Sequence, residues 1–158
     1  MQYWLIKTEP EEYSFDDLIR DGNVRARHGV PWDGVRNYQA RNNLKKMKKG
    51  DLVLVYHSGK MKEIVGISKV AKEHYPDPKD KTGTWVVVEL IPVRKLKTPF
   101  TLEEIKKCAR HANGMPLQNI PLLKQARLSV MPVTKKEYDV ITSLRGGAKR
   151  RRSNLLTF

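Results

Sequence analysis

The sequence predicts a single α+β domain, a small, mixed, partly closed β-barrel with helices packed on its outside. Three observations predict it. The chain has 158 residues, one domain's length, and folding would bury roughly two-thirds of the surface that the unfolded chain exposes. The candidate strands are short and apolar on both faces, as in Leu52-Val53-Leu54-Val55. That pattern suits strands lined by a core on one side and covered by helices on the other. The elements run strand, helix, helix, three strands, helix, strand, helix, with turn signals such as Pro76-Asp77-Pro78 between them. This order departs from the βαβ alternation of a parallel doubly wound sheet.

Each element has its own signal. Strands are expected over 3–7, 52–56, 64–70, 84–91 and 126–131, where β-branched and aromatic residues concentrate. Helix starts are marked by Ser14-Phe15-Asp16-Asp17, Thr101-Leu102-Glu103-Glu104 and Thr134-Lys135-Lys136-Glu137. In each, a hydroxyl residue and a carboxylate three positions later can cap each other's backbone N–H groups. A fourth helix is expected over 38–48: Ala40, Leu44 and Met47 share one face, and Arg41, Lys45 and Lys48 share another. Gly22, Gly50 and Gly114 are read as stops. Trp4 and Trp85 fall inside expected strands and read as core. The folded domain is expected to span 1–145. Residues 146–158, with Gly146-Gly147 and the run Lys149-Arg150-Arg151-Arg152, read as a basic, flexible tail.

Charge narrows the function. The chain holds 31 Lys and Arg against 17 Asp and Glu, a net +14, and such an excess concentrates polyanions around a small domain. Membrane binding would want a helix with a wide apolar face opposite its lysines, and none is evident. No apolar run approaches the ~18 residues of a membrane span, and Lys7 and Glu9 close the short apolar start that might imitate a signal peptide. Cys108 is the single cysteine, which excludes a disulfide scaffold and suits a reducing compartment. Nucleic acid is the expected partner.

Catalytic motifs are missing. Gly59-Lys60 has Leu54 where a P-loop needs glycine and Met61 where it needs Ser or Thr. His28, His57, His74 and His111 lack metal-ligand spacing, so neither a metal nor a cofactor is expected. Cys108 has no evident base or electropositive pocket and reads as a buried thiol. Glu9, Glu11 and Glu12 have acid/base chemistry available, but a solvated turn before the Ser14 helix accounts for them.

The most informative stretch is Pro31-Trp32-Asp33-Gly34-Val35-Arg36-Asn37-Tyr38-Gln39-Ala40-Arg41-Asn42. Trp32 falls on a loop before the basic helix, with amides and arginines close behind. Recognition of an unstacked base uses these groups: an aromatic plate for stacking, amides for base edges, arginines for phosphate. A core tryptophan beside a solvated basic helix fits the composition equally well.

Together with Lys7-Thr8-Glu9-Pro10, Tyr56-His57-Ser58 and Arg127-Leu128-Ser129-Val130-Met131-Pro132, that stretch resembles the successive motifs of the EVE domain family. The resemblance runs from about Tyr3 to Leu144. It implies a PUA-like barrel with a pocket for a modified base flipped from DNA or RNA, in a reader rather than a catalyst. Carried over motif by motif, it makes Trp32 the stacking wall, Asn37 a reader of base edges, and Lys7 a residue of the mouth. Tyr56, His57 and Ser58 would form the opposite wall, and Ser129 would approach from the last strand. Arg36, Arg41, Lys45 and Lys48 are expected to contact phosphate. The chain lacks the long leader that animal members carry, which predicts a bacterial-type cytoplasmic protein rather than a nuclear one. Two other readings stay open: an enzyme acting on a modified base or nucleotide, and a generic RNA-associated protein that binds through its basic surface.

Overall fold

In the computed structural model, which describes residues 1–24, 29–110 and 116–145, the three capped helices form as their sequences dictate. Helix α1 (Phe15–Val24) opens with Asp17 N–H donating to Ser14 Oγ at 3.1 Å and Ser14 N–H donating to Asp17 Oδ2 at 2.9 Å. The same reciprocal pair joins Thr101 to Glu104 and Thr134 to Glu137. Each pair satisfies two N–H groups that the first helical turn leaves unbonded. The helix expected over 38–48 runs Tyr38–Lys46 (α2), and Ala40, Leu44 and Met47 are fully buried beneath it. Met47 leaves the helix to reach the core, so the helix stops before Gly50 is reached. α1 passes straight through the expected stop at Gly22. A Cβ there would stand 2.5 Å from Pro92 Cδ, so the glycine serves close packing rather than termination. The expected stop at Gly114 lies outside the described residues, as do His28, His111 and the tail 146–158.

The strands are β1 (Tyr3–Thr8), β2 (Val30–Pro31), β3 (Leu52–His57), β4 (Glu63–Pro76), β5 (Val86–Thr101) and β6 (Val130–Val133). They form one sheet in the order β2-β5-β4-β3-β1-β6, in which only β1 and β3 pair in parallel. The α+β class and the external helices are as expected. The sheet is not closed into a barrel: β2 and β6 are its two ends and do not pair with each other.

Sequence and structure differ in particular strands. β4 and β5 form a hairpin much longer than 64–70 and 84–91, because polar, solvated residues continue the pairing to its tips. Its register shifts four times, and such bulges bend and twist a ladder. The last strand begins at Val130 rather than at Ala126, since residues 125–128 form a turn. Trp85 precedes β5 and is half-buried rather than core, whereas Trp4 is buried and donates through Nε1 to Asp51 Oδ2 at 3.0 Å.

The helices α3 (Leu102–Ala109) and α5 (Lys135–Arg145) pack on β5 from the outside, and a 3-10 turn (Pro116–Asn119) and the short α4 (Pro121–Lys124) connect α3 to β6. α1 packs on β5, and the end of the Phe15 ring lies close against Gly66 of β4. Cys108 lies in α3, half-buried against the core, and burial pushes its thiol up. Among the described residues no helix is long and apolar enough to cross a membrane.

Candidate nucleic-acid interface

Strand directions bring the site together. β1 and β3 run parallel and finish side by side at Thr8 and His57. β6 runs against β1 and starts at that same end, with Val130 opposite Ile6. Backbone pairing continues just past the strands: Ser58 N–H donates to the Thr8 carbonyl and Lys7 N–H to the Ser129 carbonyl, each at 2.9 Å. Lys7, Ser58 and Ser129, far apart in sequence, therefore meet at one end of the sheet. A cavity of about 740 Å³ opens there, lined by all three and by Trp32. Its volume falls within the roughly 300–1,000 Å³ of small-molecule sites.

Trp32 is positioned by β2. Trp32 N–H donates to the Val88 carbonyl at 2.8 Å, extending the β2–β5 pairing by one residue. The residue is 8% exposed, and its ring meets Tyr13 edge to face, with ring centroids 5.8 Å apart at 84°. Tyr13 lines the cavity as well, and its hydroxyl donates to Asp21 Oδ2 at 2.8 Å. Burial, and then the Asp21 carboxylate, push the Tyr13 phenol above its ordinary range. Trp32 is thus both a core anchor and a cavity wall.

Lys7 is half-buried at the rim. Its Nζ donates to the Ala126 carbonyl at 2.6 Å and lies 5.8 Å from the centroid of the Tyr56 ring; burial lowers its pKa. Tyr56 is buried against it, outside the residues that line the cavity, and burial raises its pKa.

His57 is also outside the lining, for a reason of strand geometry. Successive side chains point to opposite faces of a sheet, so the residue between Tyr56 and Ser58 turns toward α1. There His57 Nε2 accepts the Phe15 N–H at 3.0 Å, which requires a neutral ring with its proton on Nδ1. Burial pushes its pKa down, in the same sense.

Asn37 is placed apart from Trp32's cavity too. Its Oδ1 accepts the Ala40 N–H at 2.9 Å, capping α2. It lines a separate cleft of about 300 Å³ with Gln39, Gln125 and Arg127, and Ala126 borders both cavities. An amide just before a helix is a cap by local chemistry, and that outweighs its reading as a base contact.

The basic residues divide in two. Arg36 lines the cavity and gives Nη1 to Asp77 Oδ2 at 3.0 Å; Arg41 donates to the Thr84 carbonyl at 3.3 Å and to Asn42 Oδ1. Lys45 and Lys48 are exposed.

Sequence reasoning missed several lining residues. Tyr13 carried a signal, since a hydrophobic residue just before an N-cap commonly packs against the chain it introduces. Lys79, whose Nζ pairs with Asp33 at 2.8 Å across the lining, and Ala126 carried none. Among the described residues no three His, Cys, Asp or Glu side chains gather as a metal site.

The same architecture is found in known proteins. Residues 2–144 match the EVE domain family. Thymocyte nuclear protein 1 of Mus musculus is 39% identical over 168 residues, covering 90% of this chain and 73% of that protein. Rpa0253 of Rhodopseudomonas palustris superposes with a TM-score of 0.83 at 37% identity, over 97% of this chain and 99% of that one. Human THYN1, solved in complex with 5-methylcytosine containing DNA, superposes with a TM-score of 0.80 at 36% identity, over 91% of this chain and 97% of that one. This chain belongs to the EVE domain family.

Proposed function

We propose that this protein is a non-catalytic DNA-binding domain that receives a modified base, flipped from its strand, in the cavity between Lys7, Trp32 and Ser129. The observation that carries the reading is that cavity itself. One wall is an indole already fixed by Tyr13, and the facing strand ends offer an ammonium and two hydroxyls. Flipping a base costs a few kcal/mol of lost stacking and pairing. Stacking on an aromatic ring returns roughly 1–3 kcal/mol, and hydrogen bonds to the base edge supply the remainder. The net charge of +14 attracts the backbone without regard to sequence. The human relative's complex with 5-methylcytosine DNA makes that base the first ligand to try.

The reading as a binder rather than an enzyme is supported by His57, whose Nε2 is engaged by the Phe15 N–H. One observation favours the catalytic alternative: Glu9 and Glu12 line the cavity beside Lys7 and Ser58, and carboxylates can transfer protons. One experiment addresses both. Duplexes identical except for one 5-methylcytosine are titrated against the protein and against Ser129→Phe, which places a bulky ring on the cavity wall, and the recovered bases are analysed by mass spectrometry. The binder reading expects the wild type to prefer the modified duplex, the variant to bind both at the weaker level, and every base to return unchanged. Equal binding by the wild type contradicts base recognition, and any converted base contradicts the non-catalytic reading.

A further inference from the structure

Tyr38, the first residue of α2, is 62% exposed, an unusual setting for a large ring. It lies against half-buried Trp85, with ring centroids 5.0 Å apart and planes tilted by 38°. Each ring carries a cation: the Arg41 guanidinium is 5.1 Å from the Tyr38 centroid, and that of Arg36 is 5.8 Å from the Trp85 centroid. Arg41 is held there by the Thr84 carbonyl, next to Trp85 in the chain. Arg36 also lines the cavity, so this aromatic pair begins where the cavity wall ends.

We propose that Tyr38 and Trp85 form a second nucleic-acid contact, a plate on which the base next to the one in the cavity stacks. The proposal rests on the reading that a base occupies the cavity. A largely exposed ring backed by a second, half-buried one, with guanidinium groups beside both, matches what unpaired bases and their phosphates require: π-surface for the base and fixed positive charge for the backbone. A purely apolar partner would gain nothing from the two arginines. Exposed Lys45, one helical turn beyond Arg41, extends the positive track away from the plate.

The test uses a short single strand carrying one 5-methylcytosine with 2-aminopurine beside it, and a matched strand with cytosine instead. Stacking on the plate quenches 2-aminopurine fluorescence. Tyr38→Leu covers Trp85 and preserves the helix start without offering a π-face; it is expected to abolish most of the quench and weaken binding about tenfold, within the stacking range. Tyr38→Phe is expected to retain both, and melting curves show that each variant folds. A wild type that fails to distinguish the two strands, yet shows quenching that depends on Tyr38, contradicts the cavity reading while supporting the plate. Quenching and affinity that survive Tyr38→Leu overturn the plate, whatever the wild type's preference.

Discussion

Arg36 Nη1 lies 3.0 Å from Asp77 Oδ2, and the Asp77 side chain is wholly shielded from solvent while that of Arg36 stays 40% exposed. Asp77 also accepts N–H groups from Lys79 at 2.9 Å and Gly34 at 3.4 Å. The turn that follows β4 thereby fixes the loop that follows Trp32. A residue read from sequence as a phosphate contact is first a strut of the cavity wall.

This strut sets a pH dependence. Burial alone would raise the Asp77 carboxyl, but the Lys79 N–H, the Arg36 guanidinium and the Gly34 N–H outweigh it and hold the group below its ordinary value. The stabilisation is complete above the unfolded aspartate's pKa of about 3.9 and is lost as the pH falls through the lower folded value. The melting temperature of the wild type should fall more steeply below about pH 4 than that of Asp77→Asn. Parallel curves for the two proteins would remove Asp77 from the account.

Salt dependence tests the exposed cations. Arg36 and Arg41 are hydrogen-bonded within the protein, whereas Lys45 in α2 and Lys48 just beyond it are exposed, so the phosphate contacts proposed for the two lysines can be removed without disturbing the fold. Neutralising both as Lys45→Gln and Lys48→Gln should lower the slope of log K against log salt by roughly two units, at about 0.9 per phosphate on duplex DNA. It should weaken modified and unmodified strands alike. An unchanged slope places the phosphate contacts elsewhere.

His57 is expected to be neutral and structural. Because burial depresses its folded pKa, its contribution is complete above the unfolded value of about 6.5 and declines as the pH falls below it. An NMR titration of its Cε1–H should give a midpoint below 6.5. His57→Ala should cost about 1–3 kcal/mol, because the Phe15 N–H loses its acceptor, with the preference for modified DNA intact. A selective loss of that preference would return His57 to the binding wall.

Gly66 tests the packing that supports α1. A Cβ at this position would stand 2.5 Å from the Phe15 ring, so Gly66→Ala should destabilise by about 1–3 kcal/mol through overpacking. Phe15→Leu introduced in the same chain should recover part of the loss in a urea titration. Additive losses would show that the two residues do not compete for the space.

What was legible in the sequence was local. The Ser14, Thr101 and Thr134 caps each depend on groups three residues apart, and each formed as read. Motif resemblance groups Lys7, Trp32, Ser58 and Ser129, and strand direction explains the meeting of Lys7, Ser58 and Ser129. What was illegible depends on distant pairing. β2 is two residues long and exists only because Val30 and Pro31 find Leu90 and Glu89. The sequence presents Asn37 as an amide free for a base edge, but the nearby Ala40 N–H takes its oxygen. The residues around Trp85 read as strand interior, yet the turn that begins at Asp77 leaves it half-exposed beside Tyr38.

The central claim is that a modified base stacks on Trp32, and the indole N–H signals of the protein's three tryptophans report on it directly. In a ¹⁵N-labelled sample titrated with 5-methylcytosine DNA, the Trp32 signal should shift strongly, while that of Trp4, buried and bonded to Asp51, should stay in place. The matched unmodified DNA should leave Trp32 unmoved at the same degree of saturation. A Trp32 signal that ignores the modified base, or that responds equally to both DNAs, would contradict the account.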